Sequence, residues 1–295
     1  MKRLIPLLMI CCASAQAVAQ QGTLLISELL YQPSSHEAEY IELYNNSNTD
    51  INLSDYHIVR WIGDSLGKHY SLPLYTIAPH DYVALTKNAT SVSSCFNVKY
   101  PSKLIECQLP TYPNGGGSVI VSTSDSVIVD RFDYLPSMHS RLLRNKAGVA
   151  LERHYFDRPT NEASNWFSAS STSGHGTPGY TNSQSTEFLV EENSFTFSST
   201  LISPNGDNYQ DELEINYLLD TTDLSARLDI YDARGLSVRK LLNNDLLGTH
   251  GTITWDGRDK NGNLLPQGQY VILITLYGLD GTRQTIKRTI ALLTY

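Results

Sequence analysis

The sequence predicts an all-β protein that consists of two β-sandwich domains in tandem. Helical periodicity is nearly absent along the 295 residues. Short runs that alternate polar with apolar residues, or are rich in β-branched residues, recur between clusters of Gly, Pro, Asn and Asp, as is typical of sandwiches. The length exceeds what a single hydrophobic core usually serves, which favours two domains.

The N-terminus has the features of a secretory signal. Lys2-Arg3 form a charged region, residues 4–13 form an apolar run too short to span a bilayer, and Ala17-Val18-Ala19 form a small-x-small cleavage site. We therefore predict a signal peptide over residues 1–19. The tandem Cys11-Cys12 leaves a lipoprotein signal as an alternative, although the small residue that normally precedes a lipidated cysteine is missing.

The charge and hydropathy of the remaining chain argue against nucleic-acid binding and against a transmembrane segment. Cleavage would remove two basic residues and no acidic one, so the formal charge would fall from −8 to −10. An acidic chain without basic clusters lacks the electrostatic footprint of a nucleic-acid-binding protein. No later apolar run approaches the ~20 residues of a transmembrane helix. We predict an exported protein without nucleic acid or a transmembrane segment.

The first half contains six segments with the composition of strands. Each one alternates or is rich in β-branched and aromatic residues, and each is bounded by turn residues such as Asn114-Gly115-Gly116-Gly117. Glu39 and Glu42 break the alternation of the second segment, which predicts a bulge or bend at its start. The predicted strands are 24–30, 40–45, 56–61, 82–86, 118–122 and 127–134.

Two cysteines, Cys95 and Cys107, remain after the signal. An oxidising export compartment favours a disulfide between them, closing a loop between strands. Two buried thiols are the alternative. Zinc is disfavoured because no paired Cys or His residues lie at ligand spacing.

The composition changes after Trp166. Residues 168–187 are small and polar and have little to bury, which predicts a linker. We place the domain boundary near residues 183–187, and the alternative is that the earlier part of this stretch is held on the first domain.

The second half contains about eight further strand-like segments. Residues 226–231 alternate, which indicates one solvent-facing side, whereas residues 270–276 are apolar throughout, as in a central strand. The predicted strands are 188–191, 195–197, 213–218, 226–231, 238–241, 251–255, 270–276 and 285–293.

The first domain carries a series of motifs in a recognisable order. They are Leu25-Ile26-Ser27-Glu28-Leu29-Leu30, Glu39-Tyr40-Ile41-Glu42-Leu43-Tyr44-Asn45, Ile51-Asn52-Leu53-Ser54-Asp55-Tyr56, Gly148-Val149-Ala150-Leu151-Glu152-Arg153, Asn165-Trp166-Phe167 and Gly176-Thr177-Pro178-Gly179-Tyr180-Thr181-Asn182. This order resembles the lamin-tail domain, which implies an Ig-like β-sandwich over about residues 20–183 with Trp166 in its core. The region around Cys95 and Cys107 is not part of that pattern and indicates an elaborated loop.

The second domain carries another such series. It includes Ile202-Ser203-Pro204-Asn205-Gly206-Asp207, Leu228-Asp229-Ile230-Tyr231-Asp232, Thr254-Trp255-Asp256-Gly257 and Gly268-Gln269-Tyr270. This order resembles the Ig-like C-terminal modules of Bacteroidetes surface and gliding-associated proteins, which are related to the Ig-like domain of the flagellar hook-capping protein. The resemblance implies a structural module over residues 195–295, with residues 184–194 as linker and first strand.

Catalytic motifs are incomplete. Gly63-Asp64-Ser65-Leu66 spells the nucleophile motif of a hydrolase family, but no Asp-x-x-His follows and the chain shows no α/β pattern, so we interpret it as a hairpin turn. Ser65-Leu66-Gly67-Lys68 lacks the companion motifs of Ser-x-x-Lys enzymes. We therefore predict no catalytic residues and no enzyme.

Calcium is the best ligand candidate. Asn205, Asp207, Asp211 and Glu212 place four oxygen-bearing side chains before a strand, and hard cations take such ligands. The spacing fails the EF-hand pattern at Tyr209, and the favoured alternative is an ordinary turn whose Asx side chains bond the backbone.

Asp256, Asp259 and Asn261 form a second oxygen cluster, which is more simply a hairpin turn. Three Asp-Ser/Thr-x sites, at Asp64, Asp125 and Asp220, resemble an O-glycosylation signal of Bacteroidetes export systems.

The function predicted from these features is that of a non-enzymatic envelope or cell-surface interaction protein, of adhesion type, whose loops bind a protein or glycan partner. The alternative, motivated by the C-terminal resemblance, is that the second module is an export or sorting domain for a type IX-like secretion system. The predicted location is exported, with cell surface, outer membrane, periplasm and exterior all open.

Overall fold

The computed structural model describes residues 22–34, 37–187 and 190–294, and within them the chain is strand and loop with one short α-helix. The predicted all-β, Ig-like class is confirmed. The predicted signal peptide and the start of the predicted strand 188–191 lie outside the described residues. In the described part of the chain, no helix is long and apolar enough to cross a membrane.

The N-terminal domain contains fourteen strands, one α-helix and four single-turn 3-10 helices among the described residues. The strands and the α-helix are β1 (Leu24–Leu30), β2 (Tyr40–Asn45), β3 (Ile51–Asn52), β4 (Tyr56–Val59), β5 (Trp61–Ile62), β6 (Ser65–Leu66), β7 (Tyr70–Ser71), β8 (Thr76–Ile77), β9 (Tyr82–Thr86), α1 (Ala89–Cys95), β10 (Leu104–Glu106), β11 (Gly117–Thr123), β12 (Ile128–Tyr134), β13 (Leu151–Arg153) and β14 (Trp166–Ser168). The 3-10 turns are Leu53–Asp55, Pro101–Lys103, Pro136–Met138 and Ala163–Asn165.

Two sheets form the N-terminal sandwich. One has six strands in the order β10-β9-β2-β1-β13-β14 and the other has four in the order β12-β11-β4-β7, while β3-β8 and β5-β6 form two separate short ribbons. The core between the sheets includes Trp166, whose ring stacks on Phe132 at 3.6 Å between centroids and whose Nε1 donates to the Thr160 carbonyl. Trp166 is thus a core residue, as the resemblance implied.

The helix α1 arises from one parallel strand pair. Strands β9 and β10 are parallel neighbours, and such neighbours need a crossover connection. Residues 87–103 supply it. The Asn88 side chain caps α1 by accepting from the Ser91 N–H at 2.9 Å. A helix of seven residues is too short to show a helical period in the sequence, which is why it was not predicted.

The bulge expected in the second strand lies instead in β1. The pairing of β1 with β2 shifts between Ile26 and Glu28, which leaves Ser27 as the extra residue. Ile26 and Leu29 both face the core, so Ser27 and Glu28 both face the outer side of the six-stranded sheet. Glu39 precedes β2 and is not part of the strand.

The C-terminal domain is a second sandwich with its own core. Its strands are β15 (Ser194–Phe197), β16 (Leu201–Ile202), β17 (Leu213–Leu218), β18 (Leu224–Tyr231), β19 (Ser237–Leu246), β20 (His250–Trp255), β21 (Gly268–Gly278) and β22 (Arg283–Leu292). A three-stranded sheet, β15-β17-β20, packs on a five-stranded sheet, β16-β22-β21-β18-β19, and Trp255 and Tyr217 lie buried between them.

Candidate functional site

Three glutamates lie side by side on the outer face of the six-stranded sheet. Glu28 of β1 is the register partner of both Glu42 of β2 and Glu152 of β13. All three are 0% exposed. Buried carboxylates at adjacent positions are costly unless each receives hydrogen bonds. We call these three residues the carboxylate cluster.

The donors to the carboxylate cluster come mainly from residues 169–187, which we call the joining segment. The Thr177 N–H donates to Glu28 at 3.0 Å and the Gly179 N–H donates to Glu42 at 2.7 Å. Further donors are the hydroxyls of Tyr40 to Glu28, Ser27 to Glu42, and Thr177 and Ser183 to Glu152, together with the Gln184 N–H to Glu152 at 2.9 Å.

Burial and mutual repulsion shift the acidities of the cluster. Burial raises the pKa of Glu28 well above its ordinary value, and the charge of Glu152 raises it further. Burial and then the charge of Glu28 raise the pKa of Glu42 in the same way. Burial raises the pKa of Glu152 to about 7, against the lowering effect of its bonds from Ser183 and Thr177.

The arrangement of the cluster favours anchoring over catalysis. A catalytic carboxyl must contact its substrate, and these three have no exposed surface. What they do contact is the backbone of the joining segment, more than 100 positions away for Glu28 and Glu42. The cluster fastens that segment to the sheet.

The linker predicted from composition for residues 168–187 is wrong for most of its length, and the alternative, that the earlier part of this stretch is held on the first domain, agrees with the structure. Its small polar side chains are largely buried, and its backbone bonds to the first domain, as when the Ala150 N–H donates to the His175 carbonyl at 3.0 Å. Composition suggested a linker because Tyr180 is the only large hydrophobic residue there. Hydrogen bonds to buried carboxylates take the place of apolar contacts.

The opposite side of the joining segment contacts the C-terminal domain at the turn between β19 and β20. The Thr249 N–H donates to the Ser183 carbonyl at 2.9 Å, and the Ser171 N–H donates to the Leu246 carbonyl at 2.9 Å. The Gln184 side chain donates to the Leu247 carbonyl at 3.3 Å. The joining segment is thus hydrogen-bonded to both sandwiches.

Gly248 lies in this contact between the joining segment and the turn that joins β19 to β20, which we call the seam. A Cβ on Gly248 would stand 2.1 Å from the Ser183 carbonyl oxygen, and real Cβ atoms do not come so near. The neighbouring Thr172 hydroxyl is 2.6 Å from the Tyr217 hydroxyl of the second core. The seam therefore requires a residue without a side chain at position 248.

The loop proposed for calcium is held by its own hydrogen bonds. The Asp211 carboxylate accepts the N–H groups of Asn205, Gly206 and Asn208 at 2.7–2.9 Å. Asn205 and Asp207 each accept the N–H two residues on, at 3.0 and 2.8 Å. These are the Asx bonds of the alternative interpretation.

Neither oxygen cluster forms a cage of acidic ligands. The Asp259 side chain accepts the N–H groups of Asn261 and Asn263, as a hairpin turn does, and Asp256 accepts that of Arg258. Across residues 22–34, 37–187 and 190–294, no group of three or more His, Cys, Asp or Glu residues could hold a metal ion. Calcium at Asn205, Asp207, Asp211 and Glu212 stays a prediction that this geometry does not favour.

The expected disulfide between Cys95 and Cys107 is not formed in the described residues. Cys107 packs against the core between the sheets, whereas Cys95 packs against the apolar cluster under α1, on the other side of the six-stranded sheet. The sheet therefore separates the two sulfurs. Burial raises the pKa of Cys107 to about 11, which keeps it a thiol.

Ser65 lies where the hairpin interpretation placed it. It begins β6, which pairs with β5 across the turn at Gly63 and Asp64, and its side chain is exposed. Gly63 has φ +58°, a value that suits glycine in a tight turn.

Two family models match this chain, and they define its class as a tandem of Ig-like modules. Residues 17–136 match the Lamin Tail Domain, and residues 196–292 match the CHU_C Type IX secretion signal domain. The chain therefore carries a lamin tail domain followed by a type IX secretion CHU_C domain. Neither family is enzymatic. The first match ends before β13 and β14, which complete the six-stranded sheet.

Several solved structures match at low similarity. FlgD from Xanthomonas campestris is 22% identical, with 35% of this chain and 71% of that chain covered and a TM-score of 0.25. FlgD from P. aeruginosa is 18% identical over 35% and 70%, at a TM-score of 0.24. PorU from Porphyromonas gingivalis is 11% identical over 96% of this chain and 21% of that chain, at 0.27. No curated protein matches.

Neutralising one member of the carboxylate cluster should stabilise the protein at high pH. The raised pKa values mean that the cluster binds protons more tightly when folded, so its stability contribution is present below about pH 4.5 and is lost as the pH rises through about 7, the value for Glu152. We expect Glu28→Gln to unfold several degrees higher than wild type at pH 8, with the gap narrowing towards pH 5.

The comparison with wild type is needed because His139 affects the pH dependence of both proteins. Burial lowers the pKa of His139 to about 4, so this residue destabilises the folded state as the pH falls below about 6.5, its ordinary pKa. That effect opposes the effect of the carboxylate cluster and cancels when the two proteins are compared. Exposed Glu214 supplies the matched control, Glu214→Gln. A pH-independent gap for Glu28→Gln, or a lower melting temperature at pH 8, would contradict this account.

A methyl group at position 248 should separate the two domains. Gly248→Ala places its Cβ against the Ser183 backbone, so we expect a larger radius of gyration in small-angle scattering and the appearance of a second calorimetric transition. Gly115→Ala is the control, because nothing lies within 4 Å of its Cβ. Unchanged scattering and a single transition in Gly248→Ala would show that the seam does not join the domains.

Proposed function

We propose that this protein is a type IX secretion cargo of the cell surface, in which the C-terminal domain directs export and the lamin tail domain carries the interaction with a partner. The observation that supports export most directly is the match of residues 196–292 to the secretion signal family. The signal-like residues 1–19 agree with it, since such a cargo must first leave the cytoplasm.

The structure supports an interaction role for the rest of the chain. Both sandwiches are closed by their own cores, and the carboxylate cluster has no path to a substrate. A rigid β-sandwich with elaborated loops serves well as a binding scaffold. We therefore propose adhesion-type binding of a partner in the envelope, without catalysis.

Retention of the C-terminal domain is part of this proposal. Its seam with the joining segment uses backbone groups of both partners. A sorting module that is docked in this way can remain a structural part of the mature protein after export.

Export is tested by following the protein to the surface of a bacterium that has a type IX machine. We expect the full chain to be digested by protease added to intact cells, and a chain that ends at residue 186 to stay protected inside. The reciprocal test avoids misfolding of the truncated chain: residues 187–295, added to a periplasmic fluorescent reporter, should carry the reporter to the surface.

The control for both arms is a strain that lacks the secretion channel, in which neither protein should become accessible. Surface exposure of the chain that ends at residue 186, together with failure of residues 187–295 to move the reporter, would overturn the export proposal.

A further inference from the structure

A cleft of about 670 Å³ opens beside the seam between the two domains. The N-terminal domain lines it through residues 80–82 and the loop 97–103, and the joining segment lines it through residues 172–183. The start of β20, residues 250–252, supplies the lining from the C-terminal domain. The cleft therefore exists only while the two domains are docked.

The cleft is positively charged although the chain as a whole is acidic. Lys99 and Lys103 line it, with Asp81 as the one lining carboxylate among the described residues. Lys103 and Asp81 pair at 2.5 Å. In the described part of the chain no carboxylate lies within ion-pair distance of Lys99, whose ammonium stands 4.2 Å from the centre of the Tyr180 ring. The Lys99 charge is available to a ligand.

Lys99 also acts on a residue that the C-terminal domain contributes to the lining. Burial, and next the charge of Lys99, lower the pKa of His250 at the start of β20.

The remaining lining is rich in neutral hydrogen-bonding groups. It contains hydroxyls and one amide, from Asn97, Tyr100, Thr172, Ser173, Thr181 and Thr252. No aliphatic side chain lines it among the described residues, so it offers no pocket for the apolar side chains of a peptide. Tyr100 is 49% exposed, and the Lys103 ammonium lies over one face of its ring, 4.7 Å from the ring centre. Aromatic rings and dense hydroxyls suit the faces and hydroxyls of a sugar.

We propose that this cleft binds an acidic saccharide, with Lys99 pairing with its anionic group and the surrounding hydroxyls bonding its ring. This inference rests on the proposed interaction role and gives the partner its chemical class. The anionic group can be a carboxylate or a sulfate, because the Lys99 ammonium is a point charge that can donate hydrogen bonds to either anion.

Isothermal titration of the mature chain, residues 20–295, tests the proposal. The probes are oligogalacturonate, a sulfated chondroitin fragment, neutral dextran oligosaccharide and polyglutamate. We expect binding of at least one of the two acidic saccharides, weakened by salt because a charge pair contributes. Which one binds more tightly identifies the anionic group.

The variant Lys99→Ala should lose about tenfold in affinity, the effect of one charge-assisted hydrogen bond. Lys68→Ala is the matched control, because Lys68 is also exposed and stands 5.0 Å from the Tyr70 ring centre, outside the cleft. Thr252→Trp should abolish binding by filling the cleft from an exposed strand position, which tests the site without removing a charge.

The proposal is overturned if neither acidic saccharide binds, if dextran or polyglutamate binds as tightly, or if Lys99→Ala behaves like Lys68→Ala. These measurements use purified protein, so their failure is distinct from a failure of surface export in cells.

Discussion

The architecture depends on the burial of three glutamates beneath a segment made of small polar residues. Glu28, Glu42 and Glu152 have no exposed surface, and carboxylates in such a position must receive hydrogen bonds. The N–H groups of Thr177, Gly179 and Gln184 supply them. The joining segment and the carboxylates require each other. The segment has almost no apolar surface that could hold it on the sheet, and the buried carboxylates have no contact with water that could hydrogen-bond them. This mutual requirement holds the joining segment on the first domain. The second domain is in turn hydrogen-bonded to that segment.

Much of the fold was predictable because strand patterns are local. The observed bounds of β1, β2, β9 and β17 are those predicted, since each segment carries its own alternation or apolar run between turn residues. The carboxylate cluster was not predicted, although the sequence shows Glu28, Glu42 and Glu152 each within an otherwise apolar strand segment. Their pairing depends on strand register and on bonds between residues 149 positions apart, such as Thr177 to Glu28. Composition alone cannot report such bonds.

The same reasoning explains the outcomes for the ligand candidates. Acidic residues that follow one another in a turn, such as Asp207 and Asp211, bond the backbone around them and need no metal. The residues that line a cleft open to a ligand are instead collected from four distant stretches of the chain. The docking of the CHU_C domain against the lamin tail domain thus creates a surface that neither domain would have alone, which links the seam to the proposed interaction role.

Hydrogen–deuterium exchange along the joining segment tests the central claim most directly. If the segment is fastened on both sides, the amides of Thr177, Gly179, Gln184 and Thr249 will exchange as slowly as those of the central strands β1 and β21. Exchange of these amides within seconds, at the rate of an exposed loop, would contradict the claim. Residues 168–187 would then be a linker between two independent sandwiches.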